Sequence, residues 1–267
     1  MHLRLLLFVT AALLIGGCAT TRHGGSSSLV DFLYPNGQEP PPVSKSVPHL
    51  DLPVRVGIAF VPPRYPTNET LTEAHQVELL NNVKKAFADR DFISTIEVIP
   101  EAYLRSSRGF GTIDQVARLY QLDVMALVSY DQVSVTEDTK ASLAYWTIVG
   151  AYFIPGSRSE TQTFVDTAVF DVKTHALLFR AAGTQTSAKT STLVNAPQVV
   201  REQGTASFDA AMADMTKNLA TELDVFRERV KNEQVATVSQ RNGAGGSSDW
   251  LMVLAALALI RLHRRSA

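Results

Sequence analysis

Cysteine is almost absent from this sequence. Among 267 residues there is one cysteine, Cys18, so no intramolecular disulfide bond can form. A cluster of thiolate ligands for a metal ion is excluded for the same reason. The position of Cys18, close to the N-terminus, must therefore be explained by a different kind of chemistry.

An excess of charge of either sign is also lacking. Lysine and arginine number 25 and aspartate and glutamate number 26, while hydrophobic residues make up 45% of the chain. This balance argues against disorder throughout the chain and against a nucleic-acid-binding surface. The length allows one large domain or two small ones. We expect an ordinary globular domain that has no nucleic-acid partner.

Motifs of catalysis and of metal binding are missing as well. The sequence contains no His-Glu-x-x-His, no Gly-x-Ser-x-Gly, no Walker loop and no Gly-x-Gly-x-x-Gly. The neighbouring acids Glu137 and Asp138 favour a solvated turn over a glycosidase pair. The sequence therefore predicts no catalytic residue, no cofactor and no metal site. The histidines between the two ends of the chain are scattered, and His75 is predicted to be a solvated helix residue: His23, His49, His75 and His175.

The N-terminus has the pattern of a signal peptide, over residues 1–17. Met1 to Arg4 is a short basic start, and eleven mainly apolar residues follow from Leu5 to Ile15. A helix of eleven residues is about 16 Å long, roughly half of a bilayer core of ~30 Å. The segment is thus too short for a permanent anchor, and we expect it to be removed.

The residues Ile15-Gly16-Gly17-Cys18 resemble the lipobox of bacterial lipoproteins. The resemblance implies that lipoprotein signal peptidase cleaves before Cys18, and that lipid on the Cys18 sulfur attaches the protein to a membrane. Ala19 in place of aspartate implies the outer membrane. The alternative is an ordinary secreted protein with a chance cysteine. Residues 18–53, rich in Ser, Gly and Pro, are predicted to be a lipidated flexible tether in which the apolar Leu29–Tyr34 could dock on the domain.

The C-terminus carries a second candidate signal. Residues 236–249 form a predicted Gly- and Ser-rich linker that includes Gly245 and Gly246, and residues 250–267 are a hydrophobic and then basic tail. This order resembles the GlyGly-CTERM sorting signal, whose processing enzyme is rhombosortase, a rhomboid-type intramembrane protease. Glycine and serine resist helix formation, as a cleavage site for such a protease requires. The alternatives are a tilted transmembrane anchor and a helix that packs on the domain.

Both signals together resemble the rhombotarget lipoproteins, and the segments 122–131 and 145–156 are typical of that family. The resemblance implies a processing route and a location, namely the outer membrane or the surface of a Gram-negative bacterium. It implies no activity.

The sequence between the signals predicts a single α/β domain over residues 54–235. Predicted strands and helices alternate in its first half as βαβαβ, and the helices open with Thr70-x-x-Glu73 and Thr112-x-x-Gln115. The second half changes to α+β character, with antiparallel hairpins and a long helix from Pro197 that is interrupted near Gly204. We therefore expect a mixed sheet. The predicted strands are Val54–Val61, Thr95–Ile99, Val124–Tyr130, Leu143–Ile154, Gln162–Val172 and Ala176–Ala182.

The segment Leu143–Ile154 is the most unusual one, because its apolar run includes four aromatic residues: Tyr145, Trp146, Tyr152 and Phe153. One interpretation is a core strand. The other is a partner surface, since aromatic residues dominate recognition hot spots.

Three functions remain open from the sequence. The first is a lipoprotein that acts as a structural or binding module. The second is a subunit of an envelope secretion or channel assembly, a homo-oligomer formed through Leu143–Ile154. The third is a hydrolase whose machinery is not recognised.

Overall fold

The structure is a computed structural model that describes residues 20–35, 46–64, 71–142 and 147–241. The signal peptide, Cys18, Gly245, Gly246 and the C-terminal tail lie outside the described residues, as do Tyr145 and Trp146.

A six-stranded sheet forms the centre of the domain. Its strands follow the order β4-β3-β5-β6-β7, and β1 also pairs with β5. β3 is parallel to β4 and β5, whereas the pairs β5–β6, β6–β7 and β1–β5 are antiparallel. The strands are β1 (Thr20–Ser27), β2 (His49–Leu52), β3 (Val54–Phe60), β4 (Ile93–Val98), β5 (Val124–Asp138), β6 (Ser157–Asp171), β7 (Leu177–Ser191) and β8 (Thr237–Gln240).

The helices cover both faces of this sheet. They are α1 (Leu29–Leu33), α2 (Glu73–Phe87), α3 (Ala102–Arg105), α4 (Phe110–Tyr120), α5 (Ile148–Phe153) and α6 (Ala196–Glu233). The predicted mixed α/β fold, with strand–helix alternation first and hairpins and a long helix afterwards, is confirmed.

Two apolar clusters hold the layers together. On one face α2 and α6 pack on the sheet, and on the other face α1 and α4 do so. The spacing of three and four residues along α6 predicted its buried stripe correctly, because these positions recur on one side of a helix. That stripe consists of Phe208, Met212, Met215, Leu219, Leu223 and Phe226. Helix α6 is continuous through Gly204, so the predicted interruption there is wrong.

Both predicted starts of the early helices are shifted. The side chain of Thr72, not Thr70, caps α2 by accepting a hydrogen bond from the amide of His75. Helix α4 begins at Phe110, directly after Gly109, whose φ of 92° is a conformation that favours glycine. Thr112 therefore lies inside the helix, and its buried hydroxyl has no hydrogen-bond partner among the described residues.

The predicted tether is wrong over its first part. β3 pairs only with Val124–Val128, so the same edge of the longer β5 is open beyond that point, and β1 fills it from Ser27↔Tyr130 to Thr20↔Glu137. Strand pairing uses main-chain groups, so a segment rich in Ser and Gly can add to an edge without an apolar pattern. The expected docking of Leu29–Tyr34 is found: Phe32 in α1 is 0% exposed.

The predicted C-terminal boundary at residue 235 is also wrong. β8 pairs in parallel with β2, from His49↔Thr237 to Leu52↔Gln240. The described domain therefore runs from residue 20 to residue 241, and a fragment of residues 51–235 would lack β1, α1 and β8.

Candidate functional site

One end of the sheet projects beyond β3 and β4. The strands β5, β6 and β7 have 15 residues each and are about 50 Å long. At their far end lie the connection between β5 and β6 and the connection between β7 and α6. We call the described residues of these two connections, 139–142, 147–156 and 192–195, the distal tip, and the end where β5 begins the proximal end.

The distal tip exposes large apolar side chains. Val149 is 68% exposed, Tyr152 57% and Phe153 77%, and Ile154, Leu193 and Val194 are also exposed. The core-strand interpretation of Leu143–Ile154 is therefore wrong where the structure describes it, because residues 148–153 form the short helix α5 outside the sheet. Contiguous exposed apolar residues mark interaction sites. No helix in the described ranges is long and apolar enough to cross a membrane.

The first strand begins at the distal tip. Thr20 pairs with Glu137, one residue before β5 ends. Cys18 precedes Thr20 by two residues, and two residues of chain span at most about 7 Å. The start of β1 and the exposed Tyr152 and Phe153 thus lie at the same end of the domain.

Behind the distal tip, α6 packs on the sheet through hydroxyl and amide groups. Gln132 Nε2 donates hydrogen bonds to Thr163 Oγ1 (2.8 Å) and to the carbonyl oxygen of Gly204 (2.9 Å), and Thr163 Oγ1 lies 2.8 Å from Ser207 Oγ. The next two positions toward the tip repeat the pattern across β5 and β6, with Ser134–Thr161 at 2.8 Å and Thr136–Ser159 at 2.9 Å.

The apolar periodicity did not predict this polar packing, although the sequence carries a signal for it. Between Ser157 and Thr163, Ser or Thr alternates with Arg, Glu and Gln. Such alternation predicts a strand with one buried and one exposed face even though neither face is apolar. The side chains of Gln132, Thr163 and Ser207 satisfy one another, as most buried polar groups do.

The proximal end contains an apolar cavity of about 430 Å³ that opens to solvent on one side and lies between the sheet, α2, α6 and the β2–β8 pair. Its lining comes from β3, β5, β6 and β7 on one side and from α2 and α6 on the other, and all lining residues are apolar except Arg227 and Lys231. Protein interiors have few voids larger than a water molecule.

A polar cleft lies beyond the carboxyl ends of β3 and β4, where α/β folds often bind ligands. The carboxylate of the buried Glu101 accepts hydrogen bonds from Gln76 Nε2 at 2.7 Å and from Arg105 Nε at 2.8 Å. The hydrogen bond with Glu101 raises the pKa of Arg105 above its usual value. The Glu101 carboxylate thus links α2, through Gln76, to α3, through Arg105.

Other polar residues from the sequence prediction have structural partners. His75 Nε2 lies 2.7 Å from Asp209 Oδ1 and joins α2 to α6, so the prediction of a solvated side chain is wrong. Glu137 and Asp138 end a strand instead of lying in a loop, and Asp138 accepts a hydrogen bond from Ser157. In the ranges that the structure describes, no three His, Cys, Asp or Glu residues are grouped so that they could hold a metal ion.

Comparisons with known proteins do not assign this chain to a family. No family model matches the chain, and no curated protein matches it either. Solved structures with a similar fold include a neuraminyllactose-binding hemagglutinin homolog from Helicobacter pylori, which is 9% identical, covers 69% of this chain and 96% of its own, and has a TM-score of 0.41. A Xanthomonas campestris protein of the family DUF330 is 12% identical over 70% and 92% of the two chains, with a TM-score of 0.32.

A third structure, the PelC dodecamer from Paraburkholderia phytofirmans, is 11% identical over 73% of this chain and 99% of its own, with a TM-score of 0.23. At these identities and TM-scores the matches carry no information about function.

Proposed function

We propose that this chain is an exported lipoprotein, anchored by acyl chains on Cys18 in the outer membrane or at the surface of a Gram-negative bacterium. Its domain serves as a structural or binding module and not as an enzyme. The observation that supports this proposal is the register of β1: Thr20, two residues after the chain's only cysteine in the sequence, lies at the end of the domain that exposes Tyr152 and Phe153.

The distal tip and the lipid would act on the same membrane surface. Each buried methylene of an acyl chain contributes about 0.8 kcal/mol, and more than one chain gives stable anchoring. Aromatic side chains gain free energy at the membrane–water interface. Phe153 and Tyr152 would therefore strengthen the attachment to the membrane. They would also keep the distal tip at the bilayer surface, so that the strands β5, β6 and β7 extend away from it.

The resemblance to rhombotarget lipoproteins supports the same location. It assigns removal of residues 1–17 to lipoprotein signal peptidase and cleavage near Gly245 and Gly246 to a rhomboid-type protease. A second candidate function is a subunit of an oligomeric envelope assembly. The exposed side chains of the distal tip would then be buried between copies of the chain instead of in lipid.

Two measurements test the proposal. Radiolabelled palmitate should enter the protein and should be absent from the variant Cys18→Ala. For the position of the tip, Phe153→Cys provides the only free thiol of the acylated protein, because the Cys18 sulfur then carries lipid. An environment-sensitive dye on this thiol should be quenched by brominated acyl chains when the mature protein is reconstituted into liposomes.

The matched control is Leu119→Cys on α4, which is 64% exposed and lies away from the tip; its dye should not be quenched. Palmitate labelling that persists in Cys18→Ala would refute the anchor itself. An acylated protein whose dye at residue 153 is shielded but escapes brominated lipid would favour the oligomer over the membrane.

A further inference from the structure

The apolar cavity at the proximal end has no role in the proposed anchoring. It lies around Ala126, and β5 continues for twelve residues from there to Asp138 at the distal tip, a distance of about 40 Å. One acyl chain spans about half of a ~30 Å bilayer core. Lipid on Cys18 therefore cannot reach the cavity while β1 is paired with β5.

We propose that the cavity binds the single acyl chain of an anionic amphiphile, such as a long-chain fatty acid or a lysophospholipid. The lining offers hydrocarbon on every side except at Arg227 and Lys231. A peptide segment in this space would bury N–H and C=O groups without partners, which is costly. A hydrocarbon chain carries no such groups.

The size of the cavity suits a small molecule. It holds about 430 Å³, and a volume of a few hundred Å³ is typical of sites for small molecules.

The charges at the cavity determine which head group it would accept. Arg227 and Lys231 lie one turn apart on α6, and both side chains are about half exposed, so they mark the opening. Arg227 also lies 5.0 Å from the centre of the Phe92 ring. Both cations face exposed acids, Asp224 at 3.5 Å and Glu228 at 2.9 Å.

Such exposed ion pairs are weak, so a carboxylate or phosphate that bridges the two cations can replace them. Arg90 also lies 3.8 Å from Asp224, so three cations face two acids at the opening, and this balance favours an anion. The acyl chain would then be inserted toward Ala126 and Phe87.

The experiment uses the full mature protein in liposomes and a palmitate that carries a photoreactive diazirine at its ω carbon. After irradiation, peptide mapping should find the label on α2 and α6 near Phe87 and Leu223. Unlabelled palmitate and lysophosphatidylglycerol compete in separate arms, and the stronger competitor identifies the head group. This readout does not depend on acylation, because the label should also appear in Cys18→Ala.

Two variants make the test specific. Ala126→Phe fills the cavity, so it should abolish labelling while the midpoint of thermal unfolding stays the same or rises. Arg227→Gln with Lys231→Gln should weaken competition by free palmitate at least ~10-fold, through loss of charge-assisted hydrogen bonds. The matched control Arg229→Gln, on the same helix but outside the lining, should leave it unchanged.

Label that is confined to the distal tip, or that persists in a folded Ala126→Phe variant, would overturn the proposal. So would label that appears on α2 and α6 only after residues 242–267 are deleted, since the chain itself would then be the occupant.

Discussion

Gly183 in β7 lies directly against the backbone of Ala211 in α6. A Cβ atom on Gly183 would be 2.2 Å from the carbonyl oxygen of Ala211 and 2.3 Å from the amide nitrogen of Met215. Two hydrogen bonds flank this contact: the amide of Thr184 donates to Asp214 Oδ2 at 3.1 Å, and Asn218 Nδ2 donates to the carbonyl oxygen of Ala182 at 2.8 Å. The long helix therefore crosses β7 at a fixed position.

We expect Gly183→Ala to lower the free energy of unfolding by about 1–3 kcal/mol or more. The added Cβ atom would meet main-chain atoms of α6, which cannot move aside as the end of a flexible side chain can. The control is Gly111→Ala in α4, where a Cβ atom would meet nothing within 4 Å. Alanine there should stabilise the helix by up to about 1 kcal/mol. Urea unfolding of both variants measures the difference. Equal effects at the two glycines would contradict the close contact.

The polar packing behind the distal tip predicts a second stability effect. In Gln132→Ala the carbonyl oxygen of Gly204 loses its side-chain donor, and Thr163 loses one partner. Both groups keep another partner, the intrahelical amide for Gly204 and Ser207 for Thr163, so the expected cost is that of the lost hydrogen bonds, about 0.5–1.5 kcal/mol each. The control Gln162→Ala removes an exposed amide on the opposite face of β6 and should change stability by less than about 0.5 kcal/mol. A neutral Gln132→Ala variant would argue that α6 is held there by its other contacts.

The β2–β8 pair should weaken in acid. Asp51 in β2 accepts a hydrogen bond from Ser239 in β8, and this bond, with a further one from Lys173, lowers the pKa of Asp51 below its ordinary value of 3.8. A lowered pKa in the folded state means that the stabilisation is complete above the unfolded pKa and is lost as the pH falls through the folded one. Amide protection factors in β8 should therefore drop below about pH 4. In Asp51→Asn this extra acid sensitivity should be absent; its persistence there would assign the effect to another group.

The elements that the sequence predicted well are those whose side chains repeat with a period. One example is the stripe of α6 from Phe208 to Phe226, where burial of one side of a helix requires apolar residues every three or four positions. The other is β3, where a short buried strand requires a compact apolar run. β1 and β8 carry no such pattern, since they pair at strand edges through main-chain groups. An apolar run such as residues 148–154 reads equally well as a core strand or an exposed surface.

The cavity could not be predicted at all. Each of its lining residues has the pattern of an ordinary core residue, and only the packing of α2 and α6 around β5 leaves the space between them. The spacing of Arg227 and Lys231 is visible in the sequence, but many solvated helices have the same spacing.

The two ends of the chain leave the domain at opposite ends. Arg241 forms a salt bridge of 2.9 Å with Asp123, next to the start of β5, whereas Thr20 pairs with Glu137 near its far end. These positions are about 46 Å apart along β5. From Arg241 to Trp250 there are nine residues, which reach at most about 32 Å. An uncut tail and the distal tip therefore cannot occupy the same bilayer surface while the domain stands upright.

The predicted cleavage near Gly245 and Gly246 can therefore be tested in two ways, by the intact mass of the protein and by which end of the domain contacts the membrane. The mature protein should end near Gly246, whereas Gly245→Leu with Gly246→Leu should stay uncut, because the glycines that keep the site unwound are gone and the apolar span is longer. In the uncut variant the quenching of the dye on Phe153→Cys by membrane lipid should decrease, since the tail and the lipid on Cys18 would hold opposite ends of β5 at the membrane and the domain could no longer stand upright on its distal tip. The intact masses, with and without the rhomboid-type protease, report on cleavage alone. A parent protein that is fully exported in the presence of the protease yet retains residues 247–267 would refute the sorting signal and favour a permanent anchor.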